Sequence, residues 1–319
     1  MMPDAQTVIQ AAATVLGIPA ISNGVGKLLE TVSHQIDLAA EPYHIRKMAA
    51  AEADAKAIKV IGDERAKLLK AELKGIAGGE YARAIELAIL QADRRLQCIS
   101  SVIVGAAGFV PDTVSDKPVD QDWLTQFLVH CQDVSNAEMQ SIWSQLLAGE
   151  VAMPGSFSLR TMAAVKLLSR EDAHLFTRLC KSVWTEVGDR IERHVLLPFT
   201  TTNSKDSGLT FGELTHLESV GLVRLVHQGC FHLLIEDSII VRYGESSYSI
   251  KRDPSYFSRK ARPVLPNNVD HAHVFEMGPV SLTDIGSQLA PIAGAEISKD
   301  HCDWVRTRYQ RQHWTFTPV

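Results

Sequence analysis

A carboxylate and two hydroxyls lie close together in the stretch EVAMPGSFSLRT, which begins at Glu150 and contains Ser156 and Ser158. Such groups suit acid–base or nucleophilic chemistry. The chain has no GxSxG nucleophile motif, however, and both serines stand where a loop enters a helix, a position at which serine commonly caps the helix. We therefore predict that the stretch joins two helices, and we assign no catalytic residue in the chain.

The same stretch predicts a set of structural roles. Pro154 and Gly155 end one helix, Ser158 caps the next, and Phe157 inserts into the core between them. We also predict that Arg160 pairs with Glu150 across the joint. The residues that form this structural signature are Trp143, Glu150, Pro154, Gly155, Phe157, Ser158 and Arg160.

Cofactor and metal motifs fall short of the known patterns. SNGVGKLL has a glycine–lysine pair, but it lacks the earlier glycine and the following Ser or Thr of a phosphate-binding loop. Cys230 with His232, and His271 with His273, form two pairs with the potential to bind zinc. Their one-residue spacing is unlike that of zinc fingers, and in a strand it simply places both side chains on one face. We predict no cofactor and no metal.

Basic residues alternate with aromatic ones in two parts of the C-terminal third. This combination can bind phosphates and stack on bases. The nearby helix FGELTHLES carries Glu213 and Glu218, which makes it a poor recognition helix. Nucleic-acid binding is therefore the alternative function. Its candidate residues are Lys251, Arg252 and Arg259, and a second basic group comprises Arg306, Arg308 and Arg311 near Trp304, Tyr309 and Trp314.

Composition limits the function classes. Hydrophobic residues make up 45% of the chain and charged residues 22%, as in a globular protein with a real core. The net charge of −5 argues against a surface built throughout for DNA, although a local basic patch is compatible with it. The five cysteines are widely spaced without a CxxC pair, which predicts reduced thiols in a cytoplasmic protein.

Two segments, residues 5–26 and 96–111, contain no charged residue. The first has the length of a membrane span, but Gln, Asn, Pro and glycines interrupt it. The sequence therefore favours helices that are buried or face another copy, with a latent membrane segment as the alternative. The residues expected to contact a membrane or an oligomer partner are Val8, Val15, Leu16, Ile18, Ile21, Val102, Ile103 and Val104.

The periodicity of apolar residues predicts a mainly α fold in three parts. Residues 1–110 form a long N-terminal helical hairpin, whose second arm covers about 80–104 after a break at 77–79. Residues 120–198 form a central helical bundle. Residues 199–319 form a small C-terminal α+β domain that is winged-helix-like, because a short helix precedes the hairpin pattern LVRLV–HQG–CFHLLIED.

Local capping signals place the starts and ends of several helices. Ser135 with Glu138, Ser169 with Asp172, and Thr210 with Glu213 fit capping boxes, and Ser158 fits a helix cap. Gly221 fits the left-handed residue that follows a helix.

Taken together, these motifs identify a family resemblance. IWSQLLAGE, PGSFSLRT and LLSREDAHLF resemble the bacterial domain-of-unknown-function 2806 family, and so do EPYHIRKMAAAEADAKAI, LTFGELTHLESVGLV and LTDIGSQLAPI. The resemblance covers most of the chain and implies no catalytic residues. The central motif is also loosely similar to abortive-infection alpha proteins, which are linked to phage defence.

These observations predict a non-enzymatic effector or scaffold in bacterial anti-phage defence. It would assemble with a protein partner, such as a sensor or a neighbouring defence component, or with further copies of itself. On activation, its N-terminal helices would perturb a lipid membrane, as in helical pore-forming toxins, so the cytoplasmic protein would become membrane-associated. The alternative is a winged-helix nucleic-acid-binding regulator.

Overall fold

The computed structural model describes residues 22–39, 80–188, 192–196, 209–227, 231–234, 238–253 and 274–319. The chain divides into two compact units, residues 1–166 and 167–319. The second unit thus begins within 120–198, which the sequence assigned to a single central bundle.

The first unit is helical. Its helices are α1 (Asn23–Ala39), α2 (Glu80–Ala107), α3 (Gln121–Cys131), α4 (Ala137–Ala152) and α5 (Leu159–Leu167). The helix predicted over about 80–104 is confirmed by α2, whereas the preceding arm of the predicted hairpin lies outside the described residues.

Small residues bring α2 and α4 together. A side chain at Gly105 would meet the Ser144 Oγ atom at 2.4 Å, so only glycine allows this approach. The buried Ser144 hydroxyl in turn donates to the carbonyl of Val102 at 2.9 Å. The fully buried side chains of Trp143 and Phe127 pack edge to face beside this contact, with ring centres 5.4 Å apart.

The second unit combines helices with a large antiparallel sheet. Its helices are α6 (Arg170–Cys180), α7 (Phe211–Ser219), α8 (Asp284–Leu289) and α9 (Lys299–Gln310), and a 3₁₀ turn covers Ala290–Ile292. Its strands are β1 (Val183–Val187), β2 (Glu192–Leu196), β3 (Val223–Leu225), β4 (Phe231–Leu234), β5 (Ser238–Tyr243), β6 (Ser246–Arg252), β7 (Val274–Gly278), β8 (Val280–Leu282) and β9 (Trp314–Pro318). Seven strands form one sheet in the order β3-β8-β2-β1-β5-β6-β9, and β4 pairs with β7.

Helix α9 supplies part of the core of this unit. Val305 and Tyr309 of α9 are buried with Trp184 and Phe316 from the sheet. The Tyr309 ring stacks on Phe275 with ring centres 4.7 Å apart, and its hydroxyl donates to the Glu276 carbonyl at 2.6 Å. The phenol therefore enters the core with its polar end satisfied.

The prediction of a mainly α fold is wrong, because the seven-stranded antiparallel sheet makes the second unit mixed α/β. The predicted hairpin of a winged helix does not form either. Strand β3 pairs with β8 and β4 pairs with β7, so both segments run antiparallel to the same distant stretch. Alternating apolar residues identify a strand but not its partner, and this is why the HQG stretch resembled a hairpin turn.

Candidate functional site

The signature stretch forms a tight turn built around a buried carboxylate. Helix α4 ends at Ala152, and Gly155 adopts φ +97°, which a side chain would strain. Glu150 is only 1% exposed, and its two oxygens accept from the backbone N–H of Gly155 at 2.7 Å and of Phe157 at 3.0 Å. Burial raises the pKa of Glu150, although these two N–H groups and the charge of Lys117 act in the opposite direction. The carboxylate therefore stabilises the turn through these two hydrogen bonds.

The neighbours of Glu150 complete this joint. Ser158 accepts from the backbone N–H of Thr161 at 3.2 Å, as predicted for a helix cap. Phe157 is buried, which confirms its predicted place in the core, and its carbonyl accepts from the Trp123 indole at 2.8 Å. The predicted ion pair with Arg160 is wrong, because Arg160 is exposed and the Glu150 carboxylate binds backbone N–H groups instead.

A second polar cluster, centred on Asp172 and His216, connects α6 with α7. Asp172 accepts from the Ser169 N–H at 2.8 Å, which closes the predicted capping box, and it also bonds to the His216 imidazole. Burial alone would raise the pKa of Asp172, but the bonds with His216 and Ser169 outweigh burial and lower it. Beside this pair, Arg178 and Glu213 form an exposed ion pair at 3.0 Å. We did not predict the Asp172–His216 bond, because its partners are 44 residues apart.

The described cysteines are buried, and most of the candidate zinc ligands lie outside the described residues. Cys131 and Cys180 are buried, and burial raises the pKa of each thiol to about 12, so neither is a thiolate near neutral pH. Cys230, His271 and His273 lie outside the described residues. Over the part of the chain that is described, no three His, Cys, Asp or Glu side chains are placed to hold a metal ion.

The predicted membrane-contact residues separate into three groups. Val102 and Ile103 are buried in the packing of α2, whereas Val104 is exposed. Across the ranges given above, no helix combines the length and the apolar character that crossing a bilayer requires. The remaining residues lie outside the described part of the chain: Val8, Val15, Leu16, Ile18 and Ile21.

The middle of helix α2 is exposed, a feature that the sequence analysis did not single out. Its residues 87–97, here called the α2 arm, are all exposed. Leu87, Leu90 and Leu96 have 56%, 60% and 62% of their surface exposed, and Ile89 has 39%. At 100° per residue, Ile89 and Leu96 share one side of the helix, whereas Leu87 and Leu90 lie on the other. The arm therefore presents apolar side chains on two sides.

The side of the arm that carries Ile89 and Leu96 continues a helix face that is packed further along α2. Ile89, Ala92 and Leu96 follow the same alternating spacing of three and four residues as Ile99 and Ile103. Ile103 is buried in the core of the first unit, so one helix face passes from buried to exposed along its length. At the base of the arm, Arg95 bonds to Asp133, which follows α3, at 3.1 Å.

The candidate nucleic-acid residues that the structure describes are divided between a strand end and helix α9. Lys251 and Arg252 are the last residues of β6, and Arg252 lies over the Trp314 ring at 4.5 Å. Arg259 lies outside the described residues. The second basic group is on α9 and in the turn after it, where Arg306 pairs with Asp303 at 3.6 Å.

Comparison with known families assigns the chain. A family model described as a protein of unknown function (DUF2806) matches residues 82–305, which is more than half of the chain. The chain belongs to this family, as the sequence motifs predicted. No curated protein and no solved structure matches it. The similarity to abortive-infection alpha proteins stays a prediction.

Proposed function

We propose that this protein is a non-enzymatic assembly component that binds a protein partner through the α2 arm. The exposure of Leu87, Leu90 and Leu96 is the observation that carries the proposal. Contiguous apolar side chains on a protein surface commonly mark interaction sites, and an amphipathic helix is a frequent means of protein recognition. Apolar residues on both sides of the arm suit a partner that encloses the helix.

The exposure of the arm's apolar side chains also bears on the stability of the helix, which supports the same proposal. A helical segment without tertiary packing is only marginally stable in water, because most helical stability in proteins comes from burying an apolar face. A partner that covers Ile89 and Leu96 would supply that burial. It would also extend the surface through which Ile103 already packs.

The polar groups that first suggested chemistry contribute to structure. Glu150 holds a turn, Asp172 completes the capping box of α6 and bonds to His216, and the Cys131 thiol is buried and protonated. These roles are consistent with a scaffold.

The cellular setting that we propose is bacterial anti-phage defence, and it rests on the loose sequence similarity to abortive-infection alpha proteins. The test is phage protection in cells that carry the gene with its neighbours, together with the amount of neighbouring gene product that co-purifies. Replacing Leu87 and Leu90, or Ile89 and Leu96, with glutamine removes one apolar side while keeping good helix formers. Loss of two such contacts is worth roughly 3 kcal/mol, or about 100-fold in affinity.

A matched control replaces two exposed apolar residues elsewhere in the same unit, Phe109 and Val129, with glutamine. We expect this control to keep both protection and the co-purified partner. If the arm variants also keep both, the proposal is wrong. If the arm variants and the control all lose protection and the co-purified partner, exposed apolar residues in general are responsible. That result would not support the arm as the binding site.

Membrane perturbation by the N-terminal helices is a separate proposal. Dye release from liposomes, measured with the protein alone and with its genetic neighbour, tests it. Release that requires the neighbour would support activation on assembly. A stable complex that releases no dye would remove the membrane role and leave the assembly role in place.

A further inference from the structure

Each of the two apolar sides of the α2 arm carries one charged residue. On one side, two apolar residues and an acid follow the spacing i, i+4, i+7, and on the other, two leucines and an arginine follow i, i+3, i+7. At 100° per residue, each set of three lies within about 60° of the helix circumference, so its members share one surface. All six residues are exposed. The acidic side comprises Ile89, Asp93 and Leu96, and the basic side comprises Leu87, Leu90 and Arg94.

The charges on the two sides have no partner among the described residues. There, neither Asp93 nor Arg94 forms an ion pair or a side-chain hydrogen bond. The adjacent Arg95 differs, because its guanidinium bonds to Asp133 at 3.1 Å and so connects the base of the arm to the segment after α3. Arg95 therefore positions the arm, while Asp93 and Arg94 remain available to a partner.

Further copies of the chain fit both sides of one arm. When the acidic side of one arm contacts the basic side of the next, every interface is identical and each arm has both apolar sides covered. Pairing like sides of two parallel arms would instead place Asp93 opposite Asp93, or Arg94 opposite Arg94, which is unfavourable. It would also leave the second apolar side of each arm exposed. Charge complementarity thus favours contact between unlike sides.

Helix geometry brings the complementary residues to the same level in this arrangement. Rotation about an axis parallel to the arms keeps residues of equal number at equal height. Because an α-helix rises 1.5 Å per residue, Asp93 of one arm and Arg94 of the next differ in height by about 1.5 Å. Ile89 falls between the levels of Leu87 and Leu90 on the neighbouring arm. The apolar and the charged residues therefore meet their complements in a single register.

We propose that the partner of the α2 arm is the arm of a second copy of this chain, in a side-by-side assembly where Asp93 of one arm pairs with Arg94 of the next. This inference rests on the proposed function, because it names the protein that the arm binds. Each interface contains few residues, so free chains associate only at high concentration. An assembly of several copies would bind a neighbouring gene product at several sites at once, and the amount that co-purifies would then depend on the arm.

Sedimentation velocity of the full chain over a concentration series tests this inference, because it measures the mass of each species. The single variants Asp93→Arg and Arg94→Asp place like charges at every interface, so we expect the concentration at half-assembly to rise about 10-fold. The double variant Asp93→Arg/Arg94→Asp keeps the composition and net charge of the unchanged chain and restores opposite charges between copies. We expect it to assemble as the unchanged chain does. Asp112→Arg, at an exposed position in the same unit, is the control for the single variants and should assemble normally.

Three results would overturn the inference: a chain that is monomeric at every concentration, single variants that assemble normally, or a double variant that assembles as weakly as the single ones. A partner of different sequence predicts the last result for its own binding, because its charges do not change with those of the chain. Co-purification of the neighbouring gene product separates this inference from the proposed function. If replacing the arm's apolar residues removes that product while the unchanged chain is always monomeric, the arm binds a different protein and only the second-copy inference is wrong.

Discussion

At the scale of single residues, Glu150 shows how a buried charge can serve structure. Its two oxygens bind the Gly155 and Phe157 N–H groups, which would otherwise be unsatisfied within a tight turn. The raised pKa of Glu150 means that burial penalises the charged form in the folded state. This group therefore favours folding most below its unfolded pKa, and that contribution is lost as pH rises through the folded pKa.

Replacing Glu150 with glutamine removes the charge but turns an amide NH₂ toward one of the two N–H donors. We expect Glu150→Gln to lower the free energy of unfolding by roughly 1–3 kcal/mol, the usual cost of leaving a buried donor unsatisfied. Urea unfolding at neutral pH measures this change. Asp112→Asn, at an exposed position in the same unit, serves as the control and should change stability little.

The lowered pKa of His130 on α3 predicts that acid destabilises the protein, which is the opposite of the effect of Glu150. Burial, followed by the charge of Lys166, lowers the pKa of His130 below 6.5, and its Nδ1 atom has no hydrogen-bond partner. The unfolded chain then binds the proton more readily than the folded chain. The contribution of His130 to stability is present above the unfolded pKa and is lost as pH falls through the folded pKa.

We expect His130→Phe to reduce the loss of stability on acidification from neutral pH to about pH 5. Removing the nearby cation with Lys166→Gln should reduce the loss by a smaller amount. Unfolding curves at the two pH values, compared between variants, give the difference directly. An unchanged difference in His130→Phe would show that other groups control the acid response.

At the scale of elements, helix caps decide where the helices begin. The predicted capping boxes of α6 and α7 are confirmed, with Ser169 and Thr210 accepting from N–H groups of the first turn. The predicted cap of α4 is wrong by one residue. Asn136, and not Ser135, accepts from the Glu138 and Met139 N–H groups. Both types of side chain are good caps, so the local sequence did not separate them.

This one-residue difference supplies a matched pair of variants. Asn136→Ala should destabilise the first unit by about 1 kcal/mol, because it removes the acceptor from the start of α4. Ser135→Ala should have almost no effect. Thermal or urea unfolding of the two variants makes the comparison, and equal effects would contradict the assignment of the cap.

Close packing of α8 against Leu222, the residue before β3, depends on glycine. A side chain at Gly286 would lie 2.1 Å from the Leu222 carbonyl oxygen. We expect Gly286→Ala to cost about 1–3 kcal/mol, as overpacked sites usually do. In contrast, Gly212 on α7 has open space, with the nearest atom at 4.0 Å. Gly212→Ala should therefore stabilise the protein by up to about 1 kcal/mol, measured by urea unfolding in parallel.

At the scale of the whole molecule, the sequence correctly predicted the features that depend only on neighbouring residues. The caps at Ser169 and Thr210, the left-handed Gly221 and the buried Phe157 all follow from a few neighbouring residues. Pairing between distant segments was not predictable in this way. Strands β3 and β4 find their partners about fifty residues along the chain, and alternation alone does not select a partner.

The candidate sites show the same difference between local bonds and long-range packing. The turn at Glu150 was predicted because its bonds are local, apart from the incorrect pairing with Arg160. The Asp172–His216 bond was not predicted, because its two partners are 44 residues apart in the sequence. Exposure of the α2 arm also depends on tertiary packing, since the same apolar pattern is buried at Ile103.

Hydrogen–deuterium exchange over the α2 arm (residues 87–97), measured on the free protein and on its complex with the neighbouring gene product, tests the assembly proposal most directly. Because the side chains of the arm are exposed, its amides should exchange rapidly in the free protein, whereas α4 remains protected. In the complex, we predict strong protection of the arm, and the paired replacements in the arm should remove it. Equal exchange of this segment in the free and the assembled protein would contradict the account.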